Sequence, residues 1–388
     1  MIYIGIDVAK DKHDCFIVNS DGEVIKDVFT IKNNIKGFKT LLNAIPISSK
    51  EDIKIGLEAT GHYSINLIRF LSDNQLPLII FNPLQTNLFR KAHTLRKTKT
   101  DKTDAKLIAL MLSSSDLKPH LNISYHLNEL KSLTRHRSRI KEQSSKLKIS
   151  LSRIIDIMFP ELPSVVYSIN QKSTYALLKK FTSTDAIANA HLTKLTTVLR
   201  NSSKGKYGKE KATEIRDAAR NSIGTNSPAL SFELSQTLRL ITLLASEIKT
   251  IEDEIKALMN KIQSPILSVP GISHTLGSII IAEIGDINRF DTPSQLLAYA
   301  GLDPSTYESG KFKATNTRMV KRGSPYLRWA LLEAARLISM RDKTFKDYYH
   351  KKKSEGKHYF VARSHVAKKL VRVLFHLLTN NKEFVAQS

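Results

Sequence analysis

Four carboxylates in the first third of the chain carry the spacing that a divalent-metal site requires. Asp7 ends an alternating apolar stretch, IYIGIDV, and Glu58 ends a second one within GLEATGHY. Asp101 and Asp104 lie three apart in KTKTDKTDAKLIAL, at the start of a helical pattern. Residues three apart share one face of a helix, so those two carboxylates can point into one space. Gathered oxygen ligands suit Mg²⁺, with Mn²⁺ as the alternative ion. Two such ions about 4 Å apart hold the attacking and leaving oxygens of a phosphodiester in line. Clustered like charges are costly until a cation neutralises them, so the arrangement itself calls for the metal. Taken singly, an acid at a strand end reads as a solvated turn residue, and Asp101 reads as a helix N-cap. The joint placement of the four is what points to chemistry.

Cations surround the last pair: Arg90, Lys91, Arg96, Lys97, Lys99, Lys102 and Lys106. Acids set in a basic run fit a site that binds both phosphate and metal, although a basic run alone reads as a solvated face or a simple nucleic-acid contact. A second group lies near the C-terminus. Ser309-Gly310 is flanked by Lys311, Lys313, Arg318, Lys321 and Arg322. A serine presented on an exposed turn among cations can attack a phosphate. On chemical grounds Tyr307 and Tyr326 are equally available, and a lone Ser-Gly also reads as an ordinary loop. Upstream, Pro270-Gly271-Ile272 makes a turn that resembles a helix-hairpin-helix, where backbone N–H groups accept a DNA phosphate. It reads equally as a plain helical turn.

These residues need a scaffold, and the pattern along the chain supplies one. Residues 2–8, 13–19 and 23–31 read as a three-strand meander with Asp21-Gly22 at one turn. A helix at 34–44, a strand at 53–59, a helix at 62–73, a strand at 76–82 and a helix from Asp101 to Ser115 follow. That is the element order of the RNase H fold, in which the first and fourth strands are neighbours and the last helix crosses them. The fold class is therefore α/β plus α: an RNase H-like domain over 1–120, a coiled-coil middle over 121–262, and a mostly helical domain over 263–388. In the middle, Leu133, Ile140, Leu147 and Ile154 repeat every seven residues, and Leu130, Leu151 and Met158 form the adjoining seam, interrupted by Arg137 and Ser144. Leu234, Ile241, Ile248, Ile255 and Ile262 repeat likewise. The two helices pack either on each other alone or also between protomers. Between them, 160–228 reads as a small helical insertion with a loop at 202–209.

Lys and Arg number 60 against 36 Asp and Glu, a formal net charge of +24 over 388 residues. Such an excess fits a polyanionic partner. The absence of an apolar run of bilayer length argues against a membrane, and MIYIGIDVAK reads as a strand, not a signal peptide. With Cys15 alone there is no disulfide framework or thiolate metal cluster, which suggests a reduced, cytoplasmic location.

Taken together, GIDVAKDKHD, GLEATGHY, KTKTDKTDAKLIA and the later PGI…AEIGDINRF…LLAYAGLDP…ESGK…KRGSPYLRWAL resemble the DEDD transposases of the insertion-sequence family numbered one-ten. Site-specific invertases that switch pilin genes are relatives. The resemblance spans essentially the whole chain. It implies a RuvC-like nuclease domain with Asp7, Glu58, Asp101 and Asp104 as metal-binding catalytic acids, and Ser309 as a nucleophile that links transiently to DNA. It implies a composite active site in which the two groups come from different protomers, with dimers assembling to a tetramer. It further implies a structured guide RNA pairing with donor and target DNA, a prokaryotic setting, and a location on the nucleoid when bound. Delegating specificity to base pairing fits the lack of an obvious sequence-reading helix. Nucleic-acid contacts are expected at Arg96, Lys97, Lys99, Gly271, Lys311, Arg318, Lys321 and Arg322.

Three rival readings compete with this one. A RuvC-like resolvase or RNase H-type nuclease would need the four acids but not Ser309, and would leave the C-terminal third without a task. An architectural DNA-binding protein would have no use for carboxylates in a phosphate-binding groove. A transposon remnant is at odds with all four acids and the serine being intact.

Overall fold

In a computed structural model of the chain, the structure describes residues 1–46, 52–58, 62–81, 83–93, 101–114, 125–305, 308–309, 312–313 and 318–386. For Leu84, Asp101, Lys102, Tyr125, His126, Glu308, Ser309, Phe312 and Lys313 it describes the backbone alone. The chain divides into two compact units, Met1–Asn128 with Ile284–Leu296, and Glu129–Glu283 with Leu297–Ser388.

The first unit runs β1 (Ile2–Val8), β2 (Lys12–Asn19), β3 (Val24–Lys32), α1 (Ile35–Ala44), β4 (Ile53–Glu58), α2 (Ile65–Asp73), β5 (Leu78–Phe81), α3 (Pro83–His93) and α4 (Asp101–Ser113). Its five-stranded sheet has the order β3-β2-β1-β4-β5. β1 is antiparallel to β2 and parallel to β4, and β5 runs parallel to β4. The first and fourth strands are thus neighbours, as the RNase H order requires. α3 was not foreseen: the stretch 83–93, to which the sequence pattern assigned no element, is a helix.

Alternation along the strands decides which residues face which layer, because successive side chains in a strand point to opposite faces. Ile4, Ile6 and Val8 of β1 and Ile53, Ile55 and Leu57 of β4 pack with Phe38 and Leu41 of α1 and Leu67 and Leu71 of α2. The opposite face carries α4. A Cβ placed on Gly5 would sit 2.1 Å from the Ala105 carbonyl oxygen, and one on Gly56 would sit 2.9 Å from Leu112 Cγ. The backbone of α4 therefore rests on β1 at Gly5, and its Leu112 side chain fills the space over Gly56 of β4. Phe16 closes one side against Ala105 and Ala109, and Ile79 and Phe81 close the other against Ile108 and Leu112.

The second unit is almost wholly helical. Two long helices, α5 (Tyr125–Met158) and α11 (Pro228–Ile262), enclose α6 (Leu162–Val165), α7 (Lys172–Lys180), α8 (Thr184–Ala188), α9 (Leu192–Ser202) and α10 (Lys209–Arg220) in the sequence. Arg137 Nε lies 2.8 Å from Glu252 Oε1, and Arg153 pairs with Glu233, so α5 and α11 run antiparallel. The seam differs in detail from the seven-residue stripe: Leu133, Ile140 and Leu147 are half-buried, whereas Thr134, Arg137 and Ser144 are buried. Arg137 and Ser144, which interrupt the apolar pattern, point inward, and the Arg137 charge is answered by Glu252. At the other end of the pair, Leu151, Ile155, Leu234 and Leu238 share a core with Leu177, Leu199 and Ile215 of the shorter helices.

The remainder comprises α12 (His274–Ile284), α13 (Pro293–Tyr299), a two-stranded ribbon of β6 (Glu308–Ser309) and β7 (Phe312–Lys313), then α14 (Pro325–Arg341), α15 (Lys343–Ser354) and α16 (Tyr359–Asn380). The element ahead of the Pro270-Gly271 turn is a four-residue 3₁₀ helix, Pro265–Ser268, instead of a full helix. Gly271 has φ +96°, and a Cβ there would meet Leu337 Cβ at 2.8 Å, so this glycine is fixed by its packing on α14. Among the described residues no helix is long and apolar enough to cross a membrane.

Candidate active site

The parity of the strands places two of the four acids on one side of the sheet, the side on which α4 brings Asp104. Gly5 and Gly56 face α4, so Asp7 and Glu58, two residues further along β1 and β4, face the same way. Both follow Ile6↔Leu57, the last paired rung of the two parallel strands. Neighbouring strands lie roughly 4.8 Å apart, which sets the two acids side by side at the C-terminal edge of the sheet. Asp104 stands on α4 directly before Ala105, whose carbonyl lies against Gly5, and it is buried. The backbone of Asp101 begins the same helix, and its side chain lies outside the described residues.

α3 supplies partners to two of these acids. Thr86 Oγ1 lies 2.7 Å from Glu58 Oε2, and Arg90 Nη2 lies 2.9 Å from Asp104 Oδ1. Thr86 and Arg90 are four apart, hence on one face of the helix. A further acid, Asp14, sits opposite Asp7 on the antiparallel rung of β2, is 3 % exposed, and accepts a hydrogen bond from Thr30 Oγ1. Neither Thr86 nor Asp14 was singled out from the sequence. Asp14 was legible there, since GIDVAKDKHD puts it where a tight hairpin pairs it with Asp7. For α3 the available signal was Pro83, a residue favoured in the first turn of a helix.

The donor set is all carboxylate oxygen, which is the kind a hard divalent ion takes. Among the described residues no three His, Cys, Asp or Glu side chains come together closely enough to hold a metal. Asp7 and Glu58 fit such an ion in kind, and Arg90 pairs with Asp104.

The second candidate region belongs to the other unit. Ser309 pairs with Phe312 in the β6–β7 ribbon, and Lys311 lies outside the described residues, as do Arg96, Lys97, Lys99 and Tyr307. Arg318, Lys321 and Arg322 are exposed. Their loop is anchored firmly. Ser305 N donates to Arg318 O at 2.8 Å, Arg328 Nη1 donates to Lys321 O at 3.1 Å, and Ser324 N donates to Tyr299 O at 3.2 Å. Lys321 and Gly323 both adopt positive φ, +56° and +114°. This conformation is uncommon for lysine and holds only where surroundings fix it.

Beneath the loop lies a buried carboxylate that sequence reasoning did not mark as functional. Glu283 of α12 is 1 % exposed. Arg135 of α5 grips it with two bonds, Nε to Oε1 at 2.7 Å and Nη2 to Oε2 at 3.0 Å. Ser324, which caps α14, donates its hydroxyl to Glu283 Oε2 at 2.8 Å. Burial pushes the Glu283 carboxyl up, but the Arg135 bonds, the Lys131 charge and the Ser324 hydroxyl outweigh it and hold the group below the usual carboxylate range.

A five-stranded mixed sheet with acids at the ends of β1 and β4 is followed in the chain by a helical region bearing a basic loop. Residues 4–160 match the DEDD profile of the IS110 group, described as Transposase, and residues 263–350 match the profile described as Transposase IS116/IS110/IS902 family. The chain belongs to this transposase family. It is 24% identical over 393 residues to the 44.8 kDa protein of insertion element IS116 from Streptomyces clavuligerus, covering 99% of this chain and 96% of that one. It is likewise 24% identical to the 42 kDa protein of insertion element IS900 from Mycobacterium paratuberculosis, over 98% of this chain and 96% of the relative. It is 24% identical to the pilin gene-inverting protein of Moraxella bovis as well, over 98% and 97% of the two chains.

Proposed function

We propose that this transposase cuts and rejoins DNA with two groups of residues: the acids Asp7, Glu58, Asp101 and Asp104, and the hydroxyl of Ser309. The observation that carries the reading is the placement of Asp7 and Glu58 at matching ends of adjacent parallel strands, on the face where α4 brings Asp104. These acids would hold Mg²⁺, or Mn²⁺ in its place, which when bound supplies charge neutralisation at the scissile phosphate. Ser309 Oγ attacks phosphorus, its proton passes to solvent, and the bond to one strand-end oxygen breaks, with that oxygen taking up a proton. A hydroxyl of the exchanged strand then attacks the phosphoserine and releases the serine, so the number of phosphodiester bonds is conserved. Arg318, Lys321 and Arg322, exposed on an anchored loop, would take the phosphate charge.

The formal charge of +24 suits a protein that binds more than one nucleic acid, in keeping with donor DNA, target DNA and a structured guide RNA. A dimer that assembles to a tetramer would let the acids of one protomer act with the serine of another. Relatives named for pilin gene inversion make inversion the alternative outcome to transposition. A RuvC-like nuclease that makes no use of the serine remains the chemical rival.

Covalent trapping decides between them. Protein, Mg²⁺, RNA transcribed from the flank of the gene, and labelled donor and target DNA are combined and resolved on a denaturing gel. An adduct lost in Ser309→Ala and Asp7→Ala but kept in Tyr307→Phe supports the serine mechanism. Metal-dependent cleavage without an adduct, indifferent to Ser309→Ala, overturns it in favour of the nuclease.

A further inference from the structure

α14, α15 and α16 line an open cavity of about 440 Å³ on the second unit. That volume lies among those of small-ligand pockets, about 300–1,000 Å³. Its wall combines three cations, Arg336, Lys346 and Arg363, with the rings of Tyr349, His350 and Tyr359. The two tyrosines meet edge to face with centroids 6.4 Å apart and planes at 77°. Tyr359 in turn meets Phe360, whose ring is 66% exposed, so aromatic surface continues from the cavity to the solvent.

The guanidinium groups are held from behind. Arg363 Nε donates to Leu332 O at 2.6 Å and its Nη2 to Glu333 Oε2 at 2.7 Å, while Arg336 Nε donates to Glu333 Oε1 at 2.9 Å. One carboxylate thus fixes two arginines and leaves the wall net positive. A planar guanidinium fixed by one acid keeps N–H groups for a second anion and loses little freedom when it binds one.

This pairing of charge and ring is the chemistry that recognises a nucleotide. Phosphate oxygens take Arg and Lys, and a base takes an aromatic face. A duplex buries its base faces in the stack and presents only a convex backbone, so a concave pocket lined by rings selects an unpaired base. We propose that this cavity receives an unpaired nucleotide of the nucleic acid on which the protein acts, its base against Tyr349 and Tyr359 and its phosphate on Arg336, Lys346 and Arg363. The assignment rests on the reading of the chain as a DNA strand-exchange enzyme. A loop of RNA and a displaced DNA strand share the required chemistry.

The test measures binding by the full chain in EDTA, without cleavage, of labelled oligouridine, oligothymidine and a DNA duplex of equal length across a salt series. Tyr359→Ala and Lys346→Ala alter exposed side chains, and Tyr359→Phe keeps the ring. The expected result is a roughly tenfold loss of single-strand affinity at high salt in Tyr359→Ala, wild-type affinity in Tyr359→Phe, and no change for the duplex. Lys346→Ala should lower the salt slope for single strands by about 0.7. Loss confined to oligouridine assigns the pocket to RNA, and loss confined to oligothymidine assigns it to displaced DNA. Single-strand affinity unchanged in both alanine variants, or an equal loss for single strand and duplex, overturns the proposal. Because no metal is present, a pocket that binds as expected in a protein that forms no serine adduct would overturn the serine mechanism alone.

Discussion

Arg135 and Glu283 form a two-pronged ion pair across 148 residues of sequence, with the carboxylate fully enclosed and the guanidinium lying 5.2 Å from the Tyr326 ring. The pair joins α5 to α12, and through Ser324 it reaches the cap of α14. Removing Arg135 would leave a buried carboxylate without its counter-charge, an arrangement that costs about 3–5 kcal/mol when the partner is deleted. Arg135 is partly exposed, so the lower end of that range applies. Chemical denaturation of Arg135→Met should show the loss, and Glu283→Gln should lose less because no charge is stranded in the interior. The Glu283 carboxyl is held below its ordinary 4.5 in the folded state. Its contribution is therefore complete above about pH 4.5 and is lost as pH falls through the lower folded value. Arg135→Met should flatten this acid limb of the stability curve.

Gly5 links the fold to the candidate active site. Any Cβ there would collide with the backbone of α4, 2.1 Å from the Ala105 carbonyl oxygen and 2.5 Å from the Ala109 nitrogen. Backbone cannot swing aside as a flexible side chain can, so Gly5→Ala must lift α4 from the sheet. Overpacking of this kind costs roughly 1–3 kcal/mol. Asp104 rides on α4, so cleavage should fall more steeply than stability does. The check is to compare metal-dependent cleavage with the denaturation midpoint in Gly5→Ala and in Gly208→Ala, where φ is −100° and nothing lies within 4 Å of an added Cβ. Equal activity in Gly5→Ala and wild type would sink the link.

Much of this architecture was legible in the sequence because strands advertise themselves by alternation. IYIGIDV and IKIGLEA place isoleucine and leucine on one face, and that pattern alone sets Asp7 and Glu58 at strand ends. What alternation could not reveal is the meaning of the odd positions: Gly5 and Gly56 look like gaps until α4 is seen lying on them. α3 escaped notice because much of its surface stays exposed, Leu88 included at 60%, so its apolar periodicity is weak. Thr86 and Arg90 gain meaning only when the fold brings them to Glu58 and Asp104. In α5 the heptad pattern found the helix and set Arg137 and Ser144 on its seam, where they are buried; that Glu252 answers the arginine is invisible in one dimension. Glu283 was hidden for the same reason, its partner being far away in sequence.

His13 should make the first unit sensitive to mild acid. It is fully buried on the α1 side of the sheet, stacked on Phe38 with ring centroids 6.0 Å apart. Neither ring nitrogen has a partner at hydrogen-bond geometry. Burial lowers its pKa below the ordinary 6.5, with Asn33 and Asp14 only partly offsetting the effect. The neutral form is thus favoured in the folded state, and stability is complete above 6.5 and declines as pH falls below it. Thermal unfolding followed from about pH 8 down to about pH 5 should show this decline. His13→Phe, which cannot take up a proton, should be flatter over that window. Parallel curves for the two proteins would assign the decline to other groups.

Arg90 bears on the metal question directly. Its Nη2 lies 2.9 Å from Asp104 Oδ1, so it neutralises the acid that a divalent ion would otherwise claim. If the carboxylates bind metal, arginine and ion compete for one oxygen. Replacing Arg90 with Gln then has two opposite consequences. Without metal, Asp104 loses its counter-charge beside Asp7 and Glu58, and like-charge repulsion lowers the melting temperature. With metal, the ion has no competitor, so its affinity rises and the stabilisation by binding grows as RT ln(1 + [L]/Kd). Melting curves in EDTA and in a Mg²⁺ or Mn²⁺ series should therefore show a lower starting point and a larger metal-induced rise in Arg90→Gln than in wild type. Asp7→Asn serves as the control that removes a proposed ligand and should show a smaller rise. A rise of the same size in wild type, Arg90→Gln and Asp7→Asn would mean that the ion binds elsewhere, and the carboxylate site would have to be abandoned as a metal centre.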